Sequence, residues 1–215
     1  MMLLILNILI STGFSFNKTT CDAEIERYGN AQGHDKISTE CLNLYRNLAP
    51  TNCQKYSALG EMKAIAADGI FILEDNPTMS VRYSAGSEAQ VGSCTSLAID
   101  PIFVEVAILD ASRGEIAIYN AQIMGNVAPR RIIKSEYLID ATDLEYQNDK
   151  ILVLNKQQQT LFSFSRLANS TLPEAKRQDR LTLISTDVPP NASKITFDNT
   201  GKPTFEVQPG EGHEN

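Results

Sequence analysis

The sequence predicts a mainly β protein: about four small antiparallel units in an array, behind a short N-terminal helical hairpin. Three observations predict it. Beyond Gly60 the apolar residues alternate with polar ones at period two, the signature of half-buried strands. One strand–turn–strand pattern then occurs three times, and a partial copy closes the chain. Helical spacing, by contrast, is confined to the stretch between residues 22 and 60.

The first element is a targeting segment. Residues 2–10 are apolar except Asn7, and Ser11, Thr12, Gly13 and Ser15 follow. That order reads as a secretory signal peptide over residues 1–15, although no Lys or Arg precedes the apolar run. The run is too short to span a bilayer. The expected location is therefore secreted or periplasmic, with no stable membrane insertion once the signal is cleaved.

Residues 16–60 form the expected helical hairpin. Ser38 is a good N-cap; Cys41, Leu44, Tyr45 and Leu48 follow at helical spacing, and Pro50 stops the helix. Thr51 and Gln54 fit a capping box for a second short helix ending at Gly60. The preceding polar segment, which holds His34, reads as a solvated loop. Cys21, Cys41, Cys53 and Cys94 make an even set, which outside the cytoplasm favours disulfides, and no CxxC spacing suggests zinc. Two adjacent helices favour Cys41–Cys53, leaving Cys21–Cys94.

Residues 61–207 carry the repeats. GIFILEDNPTMSVRY (69–83), EVAILDASRGEIAIY (105–119) and KILVLNKQQQTLFSF (150–164) each join two apolar strands through a polar turn. The first strand ends on or beside Glu74, Asp110 or Asn155; the second ends on Tyr83, Tyr119 or Phe164. KAIAA, SLAID and TDLEY read as a further strand before each copy. The copies are offset by 36 and then 45 residues, and SKITFDNTGKPTFEV is the partial fourth, turning at Asn199-Thr-Gly201. Periods of this length indicate a solenoid, propeller or array. Residues 208–215, polar and Gly-containing, read as a disordered tail that includes His213.

GNVAPRRII (125–133) follows the aromatic strand end, as NSTLPEAKR does in the next copy. Pro129 and Pro173 fit a segment crossing to an outermost strand, IIKSEY or LTLIST. Arg130 and Arg131 are then expected to face solvent, where charge discourages edge-to-edge pairing; an anion site is the alternative.

The order strand, Asp or Asn, polar turn, strand ending in Tyr or Phe, then Gly-Asn-x-x-Pro-x-Arg-x-Ile, resembles bacterial extracytoplasmic β-propeller repeats related to NHL and lactonase-like six-bladed propellers. The resemblance covers roughly residues 62–207 and is best over 105–133. It implies a β-propeller-like array. A closed propeller has 4–8 blades, and this chain supplies three and a half. A compact four-unit ring completed by the N-terminal segment is the favoured expectation; a ring closed by homodimerisation and an open array capped by the hairpin are the alternatives.

Lactonase-like relatives hold a divalent metal with Glu, Asn and Asp, so the resemblance makes calcium the alternative cofactor. The candidates are Asp68, Glu74, Asp100, Asp110, Asp143 and Asn155, with Glu74, Asp110 and Asn155 at equal depth in the aligned copies. The competing reading is ordinary turn chemistry, in which Asp and Asn bond local backbone. No catalytic set stands out: GxSxG, GxGxxG and the P-loop pattern are absent, and only two histidines are present. The net charge of −7 and scattered basic residues argue against nucleic acid. The expected function is an exported, non-catalytic binding or scaffold protein that presents its loops to a protein or glycan; the alternative is a calcium-dependent, lactonase-like hydrolase.

Overall fold

The computed structural model describes residues 19–21, 23–24, 38–56, 62–67, 69–74, 81–85, 92–122, 127–176 and 180–208. The expected signal peptide, His34, Gly60, Asp68, Gly125, Asn126 and residues 209–215 of the expected tail lie outside them.

Helix α1 (Thr39–Leu48) starts where the sequence places it. The Ser38 side chain accepts from the Cys41 N–H at 3.3 Å, and the Glu24 carboxylate accepts from the Ser38 hydroxyl at 2.9 Å. The second helix of the hairpin does not form. Thr51–Cys53 is one 3₁₀ turn and Gln54–Tyr56 is strand β1. The Gln54 backbone N–H donates to the Thr51 carbonyl, but its side chain does not cap Thr51; that amide donates to the carbonyls of Arg46 (2.6 Å) and Ala49 (3.1 Å), closing the C-terminal end of α1 instead.

The disulfide pairing also differs from expectation. Cys21 bonds Cys41, and Cys53 bonds Cys94. The physical reason is the missing helix. With β1 starting at Gln54, Cys53 sits at the mouth of the first sheet, beside the strand that follows Cys94, and Cys41 in the first turn of α1 is left to the segment before it. Two disulfides suggest an oxidising, extracytoplasmic location. Among the described residues no helix is long and apolar enough to cross a membrane.

The β part comprises four antiparallel sheets. The first is β1 with β2 (Met62–Ala67), β3 (Gly69–Glu74) and β4 (Val81–Ala85), in that order. The second is β5 (Ser96–Asp100), β6 (Glu105–Asp110), β7 (Glu115–Asn120) and β8 (Arg131–Lys134). The third is β9 (Asp143–Gln147), β10 (Lys150–Asn155), β11 (Thr160–Ser165) and β12 (Thr182–Ser185). The fourth holds β13 (Ala192–Phe197) and β14 (Pro203–Val207), joined by the turn that Gly201 permits with φ of 79°. Each four-stranded sheet is a simple up-and-down meander and resembles a propeller blade.

β1 shifts the frame of the first repeat. GIFILED and the strand ending at Ala85 are the third and fourth strands of their sheet, whereas EVAILD and KILVLN are second strands. KAIAA accordingly matches β6 and β10, not SLAID and TDLEY. Tyr83 therefore lies on an outermost strand, while Tyr119 and Phe164 share a position on third strands, opposite Val106 and Ile151.

Period-two patterning buries both faces of the middle sheets. Leu97, Ile99, Val106, Ile108 and Tyr119 pack with Ala64 and Ala66 of β2. The alternate residues, among them Ala107, Leu109, Ile116, Ile118 and Ile133, pack with Leu144, Ile151, Val153, Phe162 and Phe164. Leu152, Leu154 and Leu161 then meet Ala192, Ile195 and Phe205 of the fourth sheet. Each unit thus buries its apolar face only by stacking on the next.

The two ends of the stack differ. Helix α1 packs on β2. The outer face of the fourth sheet is polar: Thr196 and Thr204 share a hydroxyl hydrogen bond at 2.8 Å, and Lys194 faces Glu206 at 3.7 Å. β13 packs on β9, and neither β13 nor β14 has a comparable interface with the first sheet. Among the described residues the sheets stack in chain order, the first on the second, the second on the third and the third on the fourth.

Candidate functional site

The first strands of the four units stand side by side: β5 packs on β1 and β9, and β9 packs on β13. Asp143, at the start of β9, fixes this line. Its carboxylate accepts from the Ser96 hydroxyl at 2.6 Å and from the Ile195 N–H at 2.8 Å, so one buried side chain joins three sheets. Where the same strands end, they open into a groove of about 840 Å³. All four units line it: Tyr56 from the first, Ile102 and Phe103 from the second, Glu145 and Tyr146 from the third, Phe197 from the fourth.

The groove is shaped by turns that the sequence builds tightly. Asp100 accepts from the N–H groups of Ile102 (2.9 Å) and Phe103 (3.1 Å), an Asp turn following a strand. Val104 closes it at φ of 54°, a left-handed conformation costly for a β-branched residue. The Val104 carbonyl is held by the Ala121 N–H at 2.8 Å. The result is a rigid corner that leaves Ile102 80% exposed and Phe103 42% exposed at its tip. The β9–β10 turn uses Asn148 at φ of 52°.

A buried ionic cluster underlies that corner. Glu105, only 2% exposed, accepts from Arg131 at 2.7 Å and from Arg166 at 3.4 Å. The Arg166 guanidinium also lies 3.6 Å from the centre of the Phe103 ring, a cation–π contact that fixes the ring. Arg131 is thus turned inward, correcting the solvent-facing reading; Arg130 remains exposed. The signal missed was Glu105, a charged residue opening an otherwise apolar strand and needing a cationic partner once buried.

Across the groove Lys55 of β1 pairs with Glu145 of β9. Burial raises the Glu145 pKa above its ordinary value, with the Lys55 charge opposing the shift. The neighbouring Tyr146 hydroxyl is buried without a hydrogen-bond partner, and burial pushes its pKa up. Gln147 donates to the Gly201 carbonyl and bridges the third and fourth units.

The sequence-predicted metal candidates do not converge. Met62, Glu105 and Lys150 open the second strands of their sheets, and Glu74 pairs with Met62. Asp110 and Asn155 end their second strands, at the opposite rim. Both of these have turn partners. Asp110 accepts from the Ser93 N–H (3.1 Å), the Ser112 hydroxyl (2.6 Å) and the Arg113 N–H (3.2 Å). Asn155 accepts from the Gln158 N–H at 3.0 Å and donates to the carbonyls of Tyr137 (3.3 Å) and Ile139 (3.0 Å). Asp100 and Asp143 are occupied as described above. Among the described residues no group of three His, Cys, Asp or Glu is placed to hold a metal ion.

No family model matches the chain, and no curated protein matches it. Similar solved structures include the β-propeller domain of Cps50 (Swd1) from Myceliophteria thermophila, with a TM-score of 0.46 and 11% identity over 73% of this chain and 62% of that one. A glutaminyl cyclase from Myxococcus xanthus has a TM-score of 0.43 and 12% identity over 71% of this chain and 66% of that one. A chain of the Chaetomium thermophilum Polycomb Repressive Complex 2 bound to GSK126 has a TM-score of 0.44 and 17% identity over 64% of this chain, which spans 35% of it.

Proposed function

We propose that this protein is an exported, non-catalytic binding or scaffold protein that holds a protein partner in the groove at the ends of its first strands. The observation that carries the reading is the rigid corner presenting Ile102 and Phe103 to solvent from a buried ionic base. Exposed apolar side chains held rigidly are what an interface core requires, because little ordering entropy is lost on binding. Asp100, Glu145 and Asp149 outnumber Lys55 in the lining, so the partner segment is apolar with basic flanks. The two disulfides support export.

Selection of a random peptide library against the oxidised protein tests the reading. Enriched peptides should combine Leu, Phe or Trp with Lys or Arg. Their binding should be lost in Ile102→Asp while the melting temperature holds, since that side chain is mostly exposed. Enrichment that is indifferent to Ile102→Asp, or no enrichment at all, overturns it.

A further inference from the structure

The outermost strands of the second and third sheets are built alike but finished differently. The outer edge of β8 is sealed by the segment that follows the third strand of the next unit. The Ser170 N–H donates to the Ile132 carbonyl at 2.7 Å, and the Lys134 N–H donates to the Ser170 hydroxyl at 2.9 Å. The Asn169 side chain accepts from the Ile132 N–H at 3.4 Å. For β12 the corresponding segment would follow a third strand in the fourth sheet, which among the described residues has two strands. No backbone group of Thr182–Ser185 bonds anything but β11 among the described residues.

The side chains make that edge more than an unfinished one. Leu183 is 57% exposed and Ile184 is 40% exposed. Both sit where the β11–β12 register shifts, Leu183 opposite Phe162 and Ser185 opposite Leu161, so apolar surface lies beside the free backbone. β12 carries no Lys, Arg or Pro; its short length and the register shift against β11 are its edge protection. The charges lie just beyond it: Arg180 two residues before the strand and Asp187 two residues after, both exposed and neither in an ion pair among the described residues.

We propose that β12 is a self-association edge, to which a second copy of this chain adds its own β12 in antiparallel fashion. The charge pattern selects a second copy as the occupant. A two-fold axis across the seam sets Arg180 of each copy near Asp187 of the other, so the ends are self-complementary. The new seam covers Leu183 and Ile184 of both copies and joins two four-stranded sheets into one of eight. It lies on the outer edge of the third unit, away from the groove.

Sedimentation equilibrium of the oxidised protein from about 1 to about 200 µM tests this. Wild type should approach a dimer as concentration rises. Leu183→Lys and Ile184→Lys should remain monomeric with an unchanged melting temperature. Arg180→Asp, which sets like charges against each other, should weaken the dimer roughly tenfold. Adding Asp187→Arg to it should restore the dimer, which a merely structural effect of either change would not do. A monomeric wild type, a dimer indifferent to Leu183→Lys, or a double variant that stays weak each overturns the proposal.

Discussion

Tyr119 and Phe164 hold the same place in successive sheets: each lies on a third strand, opposite the second residue of the second strand, with its ring packed against the preceding sheet. The chain thus uses one large aromatic per interface as a wedge between stacked units. Phe164 also meets Phe162 edge to face, with ring centres 5.9 Å apart. Phe164→Ala should cost about 3–5 kcal/mol, the usual range for emptying a buried aromatic site. Urea titration followed by circular dichroism measures it; a loss below about 1 kcal/mol would show that the interface collapses around the cavity.

The Glu105 carboxylate needs both guanidiniums. Removing one leaves a buried anion with half its compensation. Arg131→Met should therefore destabilise by about 2–3 kcal/mol. Pairing it with Glu105→Leu should recover only part of that, since the buried anion goes but Arg166 loses its closest carboxylate. A double-mutant cycle in urea reads the coupling, and strictly additive losses would contradict the cluster.

Glu145 gives a pH signature. Its folded-state pKa is raised above 4.5. The folded protein therefore binds more protons than the unfolded chain in the window just above 4.5, and stability falls as pH rises through it. Glu145→Gln cannot titrate. Wild type should lose stability relative to Glu145→Gln as pH rises from 4.5 towards neutrality. Parallel stability–pH curves for the two proteins would refute it.

Asp110 separates turn chemistry from metal binding. Its carboxylate accepts three hydrogen bonds around the β6–β7 turn and the Ser93 segment. Asp110→Ala should cost about 1–3 kcal/mol by stranding those donors, and to the same extent with or without millimolar calcium. A melting temperature that rises with calcium in wild type alone would return the residue to a ligand's role.

Most strands were legible because two-faced burial writes short continuous apolar runs, VAIL in β6 and ILVL in β10, bounded by polar turns. Turn signals such as Asn199-Thr-Gly201 then fixed their ends. The first sheet was misread at one place. QKY is too short to show a period, and Thr51 to Gln54 matches a capping box, so local chemistry outvoted a strand that exists only through pairing with Lys63, Ala64 and Ile65. That single error moved Glu74 and Tyr83 out of frame and misassigned both disulfides. The groove was not legible at all, because its lining comes from four separated turns. Asp100, singled out for its carboxylate, proved to matter for the corner it folds.

The polar face of the last sheet limits what could be built onto this molecule. Engineers extending repeat proteins usually graft an extra module onto the terminal one. Here such a graft would have to strip water from Lys194, Thr196, Thr204 and Glu206 without returning equivalent partners. Lengthening this scaffold would begin by rewriting those four positions as alternating Val, Ile or Leu.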